Sequence, residues 1–126
     1  MKERRLLIVD DEKNIRLTLA QSLRSLGVEV ETAVYAEEAL YKLAQNDYDL
    51  VLLDLELPGM GGMEMLRRAK RTRPDVPVMI ITAYGTQETS EEALSLGAVE
   101  FVQKPFSSKE IRERVSRVLN LTSPPS

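Results

Sequence analysis

The chain has 126 residues, 43% hydrophobic and 29% charged, with a net charge of −3 and neither cysteine nor histidine. That length suits one domain with its own core, and the missing residue types exclude disulfides, Cys- or His-based zinc sites and histidine acid–base chemistry. No stretch is apolar for long enough to span a membrane, Met1-Lys2-Glu3-Arg4-Arg5 does not open a signal peptide, and the negative balance gives no general attraction to nucleic acid; a cytoplasmic setting is expected.

Leu6-Leu7-Ile8-Val9 is an apolar run of strand length that ends in Asp10-Asp11-Glu12. From Glu12 to Leu26 the pattern turns helical, with Ile15, Leu19, Leu23 and Leu26 on one stripe. Gly27 is a C-terminal stop. Val28, Val30 and Thr32 then alternate with Glu29 and Glu31, the mark of a half-exposed strand at a sheet edge. Ala36–Gln45 is the second helix, broken by Asn46-Asp47. Asp49–Leu53 is the central strand, and its apolar run leads straight into Asp54. A run of this kind is buried on both faces of a sheet. The carboxylate at its end therefore belongs at the C-terminal edge, because an unpaired charge in the core is too costly.

Pro58-Gly59 and Gly61-Gly62 mark a tight turn and a helix start; no Lys-Ser/Thr follows, so they do not form a Walker A loop. The third helix runs from about Gly61 to Arg71 and buries Met65, Leu66 and Ala69. Its Arg67, Arg68, Lys70 and Arg71, with Arg73, read as a solvated face rather than a phosphate-binding patch, since no aromatic is interleaved. Val78-Met79-Ile80-Ile81 is the fourth strand and ends in Thr82-Ala83-Tyr84-Gly85. A fourth helix covers roughly Gln87 to Leu96. Ala98–Val102 is the fifth strand, followed by Gln103-Lys104-Pro105-Phe106. Ser107 and Glu110 fit a capping box for a last helix reaching about Asn120. Residues 1–120 form the domain, and residues 121–126 read as a tail or the start of a linker.

Five strands alternating with five helices give a three-layer (βα)₅ α/β sandwich with a parallel sheet. A flavodoxin-like order 2-1-3-4-5 sets the first strand beside the third, and such folds bind ligands at that reversal of strand order. Asp10, Asp11 and Asp54 land there together, with Thr82 and Lys104 on the same rim. Asp11 and Asp54, a backbone carbonyl from Glu56 and waters supply hard oxygen ligands for Mg²⁺, while Asp10 acts through a metal-bound water or holds Asp11 in place. Without a cation the crowded carboxylates are expected to have raised pKa values. Lys104 supplies a point charge for an anionic oxygen, and Thr82 a hydroxyl beside the Ala83 N–H. Asp54 is then placed to attack phosphorus and become an aspartyl phosphate.

These motifs as a set resemble the receiver domain of bacterial two-component response regulators over residues 4–120: a strand ending Asp-Asp-Glu, one ending in Asp before Pro-Gly, one ending Thr-Ala, and one leading into Lys-Pro-Phe. The resemblance implies that Asp54 is the phosphoacceptor, Asp10 and Asp11 the acidic pair for Mg²⁺, Thr82 the switch hydroxyl, Phe101 the switch aromatic and Lys104 the family's lysine, often followed by a cis proline. Glu56 and Tyr84 fall where the family adjusts the lifetime of the phosphoryl group. Leu57 and Gly61 depart from its usual Met and Asp or Asn. The resemblance also implies a sensor histidine kinase as phosphodonor, docked near Ile15, Arg16 and Phe106. It implies a homodimer through the face of the fourth helix, fifth strand and fifth helix, and a C-terminal ATPase or DNA-binding output domain. Thr82–Thr86 and Val102–Phe106 are worded most like receivers of sigma-54-dependent (NtrC-type) activators. Two rivals stand beside this reading. A haloacid-dehalogenase-like phosphatase also uses Asp, Thr, Lys and acidic Mg²⁺ ligands, but with its nucleophile after the first strand; the other rival is a phosphorylation-independent interaction module.

Overall fold

A computed structural model describes residues 3–121. Five strands, β1 (Arg5–Val9), β2 (Glu29–Ala33), β3 (Leu50–Asp54), β4 (Val78–Thr82) and β5 (Glu100–Gln103), alternate with five helices, α1 (Lys13–Arg24), α2 (Ala36–Gln45), α3 (Gly62–Thr72), α4 (Gln87–Ser95) and α5 (Ser108–Leu119). The sheet is parallel in the order β2-β1-β3-β4-β5, as the sequence pattern requires. The expected tail lies outside the described residues from 122 onward.

Alternate residues of each strand enter opposite layers. Leu7, Val9, Val51, Leu53, Val78 and Ile80 pack beneath α2, α3 and α4. Leu6, Ile8, Leu50, Leu52, Met79 and Ile81 pack beneath α1 and α5. Every residue of β3 and β4 is buried, which explains their unbroken apolar runs. Register does the rest: Val9 stands opposite Leu53, Asp54 opposite Ile81, and Thr82 opposite Gln103. The residues that follow β1 and β5, Asp10 and Lys104, therefore emerge level with Asp54 and Thr82. A slip of one residue would turn these side chains to the wrong layer.

Local chemistry departs from the sequence reading in two caps, while the basic cluster stays a solvated face laced with ion pairs. Ser107 Oγ accepts from the Glu110 amide, but Glu110 turns its carboxylate to Arg114 at 3.3 Å, so only half of the expected box forms. The complete box belongs to α4, where Thr86 and Thr89 exchange side-chain and backbone bonds of 2.9 and 3.1 Å. Most of the basic cluster is engaged: Arg67 bridges Glu64 and Glu92, Arg68 meets Glu64, Lys70 caps the Val76 carbonyl, and Arg73 bonds the Leu43 carbonyl.

The turn after β3 depends on two glycines. Gly61 has φ 83° and ψ 156°, a conformation essentially reserved for glycine. Gly62 lies against the backbone of the central strand, where a Cβ would come within 2.4 Å of Leu55 Cα and 2.5 Å of the Asp54 carbonyl oxygen. Its N–H also donates to the Leu55 carbonyl at 3.1 Å. Backbone cannot step aside as a side chain can. Gly62→Ala should therefore cost about 2–3 kcal/mol of stability, the scale of overpacking in a tight core, read as a lowered urea midpoint. An unchanged midpoint would show that this contact is not constraining.

Candidate functional site

Four buried polar side chains crowd the C-terminal rim. Asp10 and Thr82 are 0% exposed and Asp54 is 2% exposed, while the Lys104 side chain is 9% exposed. Short loops place them. Asp10 Oδ1 accepts the Glu12 amide at 2.9 Å, and Asp54 Oδ1 accepts the Glu56 amide at 3.0 Å, so each carboxylate closes its own turn with one oxygen. The other oxygens face one ammonium: Lys104 Nζ is 2.9 Å from Asp10 Oδ2 and 3.2 Å from Asp54 Oδ2. A third acid joins from outside, Glu12 Oε1 at 3.3 Å. Lys104 is carried in by β5, its N–H donating to the Thr82 carbonyl at 2.7 Å, and the Lys104–Pro105 peptide is cis.

Three carboxylates, Asp10, Glu12 and Asp54, each offer an oxygen within 4.8 Å of the others, and the cluster can hold a metal ion. One ammonium does not balance three acids. Burial pushes the Asp10 carboxyl above its ordinary value, and the charge of Asp54 adds to the rise against the Glu12 amide and Lys104. Burial works to lower Lys104, yet its hydrogen bond to Asp10 and the charges of Asp10 and Asp54 outweigh that and hold the ammonium above the usual lysine value. The site is an acidic pocket short of positive charge, with hard oxygen donors of the kind that suits a small divalent ion.

The sequence-derived residues are not all gathered here. Asp10, Asp54 and Lys104 are in direct contact. Asp11 lies exposed on the rim and is not among the three clustered acids, whereas Glu12, which carried no role of its own in the sequence reading, is. Thr82 is not hydrogen-bonded to Asp54: its hydroxyl donates to Glu56 Oε1 and accepts the Tyr84 N–H at 3.3 Å. Phe101 is half-buried with its ring against Gly85, where a Cβ would come within 2.6 Å of Phe101 Cε1 and 3.3 Å of Thr82 Cγ2. Tyr84 is exposed and Ala83 lies at the surface. Arg16, expected only near the kinase-docking surface, has a second place: its Nη1 bonds the Asp10 carbonyl at 2.8 Å and braces the acidic turn from α1. Its position one turn after Glu12 was the only available signal.

Residues 6–116 match the family model of the response regulator receiver domain, and the chain belongs to that family. Sporulation initiation phosphotransferase F of Bacillus subtilis strain 168 is 38% identical, with the match covering 98% of this chain and 99% of that protein. The DNA-binding transcriptional regulator NtrC of Azospirillum brasilense is 36% identical over 96% of this chain but only 25% of its own length. Among solved structures, a CheY-like receiver domain protein from Methanospirillum hungatei JF-1 superposes with a TM-score of 0.91 at 34% identity, covering 94% of this chain and 95% of that one. The chain spans 53%, 25% and 28% of three of the curated relatives it matches. NtrC, PilR and AtoC appear beside PhoP and PhoB, so the likeness to NtrC-type activators is real and not exclusive. The family match decides against the haloacid-dehalogenase-like alternative.

The raised Asp10 pKa has a definite sign for stability. A carboxyl whose folded pKa lies above its unfolded value of 3.8 adds stability below that pH, and the contribution is lost as pH rises through the folded pKa. At pH 7 without divalent ions, the ionised Asp10 therefore weighs against the fold. Asp10→Asn keeps the acceptor for the Glu12 amide and should raise the urea midpoint at pH 7 while flattening its fall above about pH 4. A lowered midpoint would show that the ion pair with Lys104 outweighs burial and repulsion.

Proposed function

We propose that this receiver domain is a phosphoacceptor switch in which Asp54 takes a phosphoryl group from a phosphohistidine of a sensor histidine kinase, with Mg²⁺ as cofactor. The observation that carries this is Asp54 itself, a buried carboxylate with one oxygen on a backbone amide at 3.0 Å and the other 3.2 Å from Lys104 Nζ, inside an acidic cluster. Phosphoryl transfer asks mainly for alignment and charge neutralisation. An Asp54 oxygen forms the new O–P bond as the P–N bond of the donor breaks, the electron pair leaving with the imidazole. Lys104 supplies positive charge to the phosphoryl oxygens, and the Ala83 N–H and Thr82 hydroxyl supply donors. Asp10, Asp11, Asp54 and the Glu56 carbonyl, with Glu12 beside them, are the groups that would hold the ion. When bound, Mg²⁺ offsets negative charge on the transferring group and on the acids around it.

The donor's approach is supported by an apolar groove of about 400 Å³ lined by Ile15, Leu19, Ala83, Pro105 and Phe106, open beside Lys104. Its output belongs to the same reading: Thr82 turns to the phosphoryl oxygen, Phe101 repacks behind it, and the α4-β5-α5 face changes to favour a homodimer or a C-terminal output domain. Tyr84 in the loop before α4, Leu94 on α4 and Val99 just before β5 leave apolar surface exposed. No helix among the described residues is long and apolar enough to cross a membrane.

Incubation with acetyl phosphate and Mg²⁺, followed by intact mass, should add one phosphoryl group. Asp54→Ala or chelation of the metal should abolish the gain, and Lys104→Ala should slow it by about 100-fold or more, the usual scale for removing one charge-stabilising donor. Steady hydrolysis of p-nitrophenyl phosphate should be negligible. An unmodified wild-type protein, or equal labelling of Asp54→Ala, would contradict the assignment and favour an interaction module that works without phosphorylation.

A further inference from the structure

Glu56 sits two residues past Asp54 on an exposed turn, yet its side chain reaches the wholly buried Thr82 across the rim. Thr82 Oγ1 donates its proton to Glu56 Oε1 and accepts the Tyr84 N–H at 3.3 Å. A hydroxyl has a single proton to donate. That proton is therefore committed to a carboxylate, and a charge-assisted bond of this kind is among the stronger ones a side chain makes. A phosphoryl group on Asp54 offers a competing anionic acceptor for the same proton, and the two acceptors cannot be served together.

We propose that Glu56 is a resting-state latch, holding the Thr82 hydroxyl away from Asp54 so that phosphorylation must displace one anionic acceptor with another. This rests on the reading of Asp54 as phosphoacceptor and adds an antagonist to it. Gly85 leaves room for both the Phe101 ring and Thr82 Cγ2, and Glu56 engages only the hydroxyl end of Thr82. It is also separate from the metal, because the Glu56 amide and carbonyl remain whatever side chain stands there. Glu56 is thus a positioning residue acting through Thr82. Its cost falls on entry into the activated state.

The test uses beryllofluoride with Mg²⁺ as a phosphoryl mimic, titrated against the chain and followed by amide NMR, with urea midpoints confirming that each variant is folded. Glu56→Ala should bind the mimic about tenfold more tightly than wild type, the lower range for a lost hydrogen bond to a charged group. In a Thr82→Ala background, where no hydroxyl is left to hold, the same substitution should change affinity by less than about twofold. Unchanged or weaker binding by Glu56→Ala overturns the latch. So does a full gain that persists without the Thr82 hydroxyl, which assigns the effect to repulsion between the carboxylate and the phosphoryl group. If a folded wild type fails to bind the mimic at all, the reading of Asp54 falls and takes the latch with it; if wild type binds and Glu56→Ala matches it, only the latch falls.

Discussion

The Lys104 ammonium between Asp10 and Asp54 is the contact on which the rest of this structure turns. Two carboxylates with almost no exposure are tolerable at a sheet rim because one cation reaches both, at 2.9 and 3.2 Å. Such a cluster is a poor way to gain stability. Desolvating charges consumes most of what their attraction returns, and apolar replacements often serve a fold as well or better. With three acids gathered around one ammonium, the balance is worse still. The arrangement is understandable as a site kept short of positive charge, ready for a divalent ion and an incoming phosphoryl group. On the proposed function, stability is given up locally for that role.

The scaffold supplies the rigidity that such a site needs. Asp54 ends a strand flanked by β1 and β4, and all three are buried apart from Arg5 at the start of β1. Lys104 arrives on β5 through a backbone bond to Thr82, so two working residues are tied by one hydrogen bond of 2.7 Å. Gly62 fixes the loop beneath Asp54 by close backbone contact. On the proposed reading, what moves is a few side chains on this frame: Thr82 and Phe101, with Glu56 releasing the first of them. A switch built this way changes a surface by re-pairing a few groups rather than by remaking a core.

Much of this was legible in the sequence, for physical reasons that differ by residue. Strands β1, β3 and β4 announce themselves because burial on both faces demands continuous apolar runs. Asp10, Asp54 and Thr82 stand out because each is polar directly after such a run, Lys104 follows the less regular fifth strand by way of Gln103, and strand order sets all four on one rim. What stayed hidden depends on side-chain reach. No pattern says that Glu56 finds Thr82, that Glu12 rather than exposed Asp11 joins the clustered acids, or that Glu110 prefers Arg114 to its own cap. The α4 cap was missed because threonine, not Glu or Gln, closes the box at Thr89. Gly62 reads as part of a turn and helix start, while its requirement comes from neighbours seven and eight positions back in the chain, Leu55 and Asp54.

Everything proposed for this domain requires the rim to be a cation site that includes Asp54. The direct measurement is thermal stability against Mg²⁺ concentration for wild type and Asp54→Asn. Wild type should gain stability with the logarithm of Mg²⁺, by about 1.4 kcal/mol at ten times the dissociation constant, and Asp54→Asn should gain far less. A wild type indifferent to Mg²⁺, or an equal gain in both proteins, would contradict it.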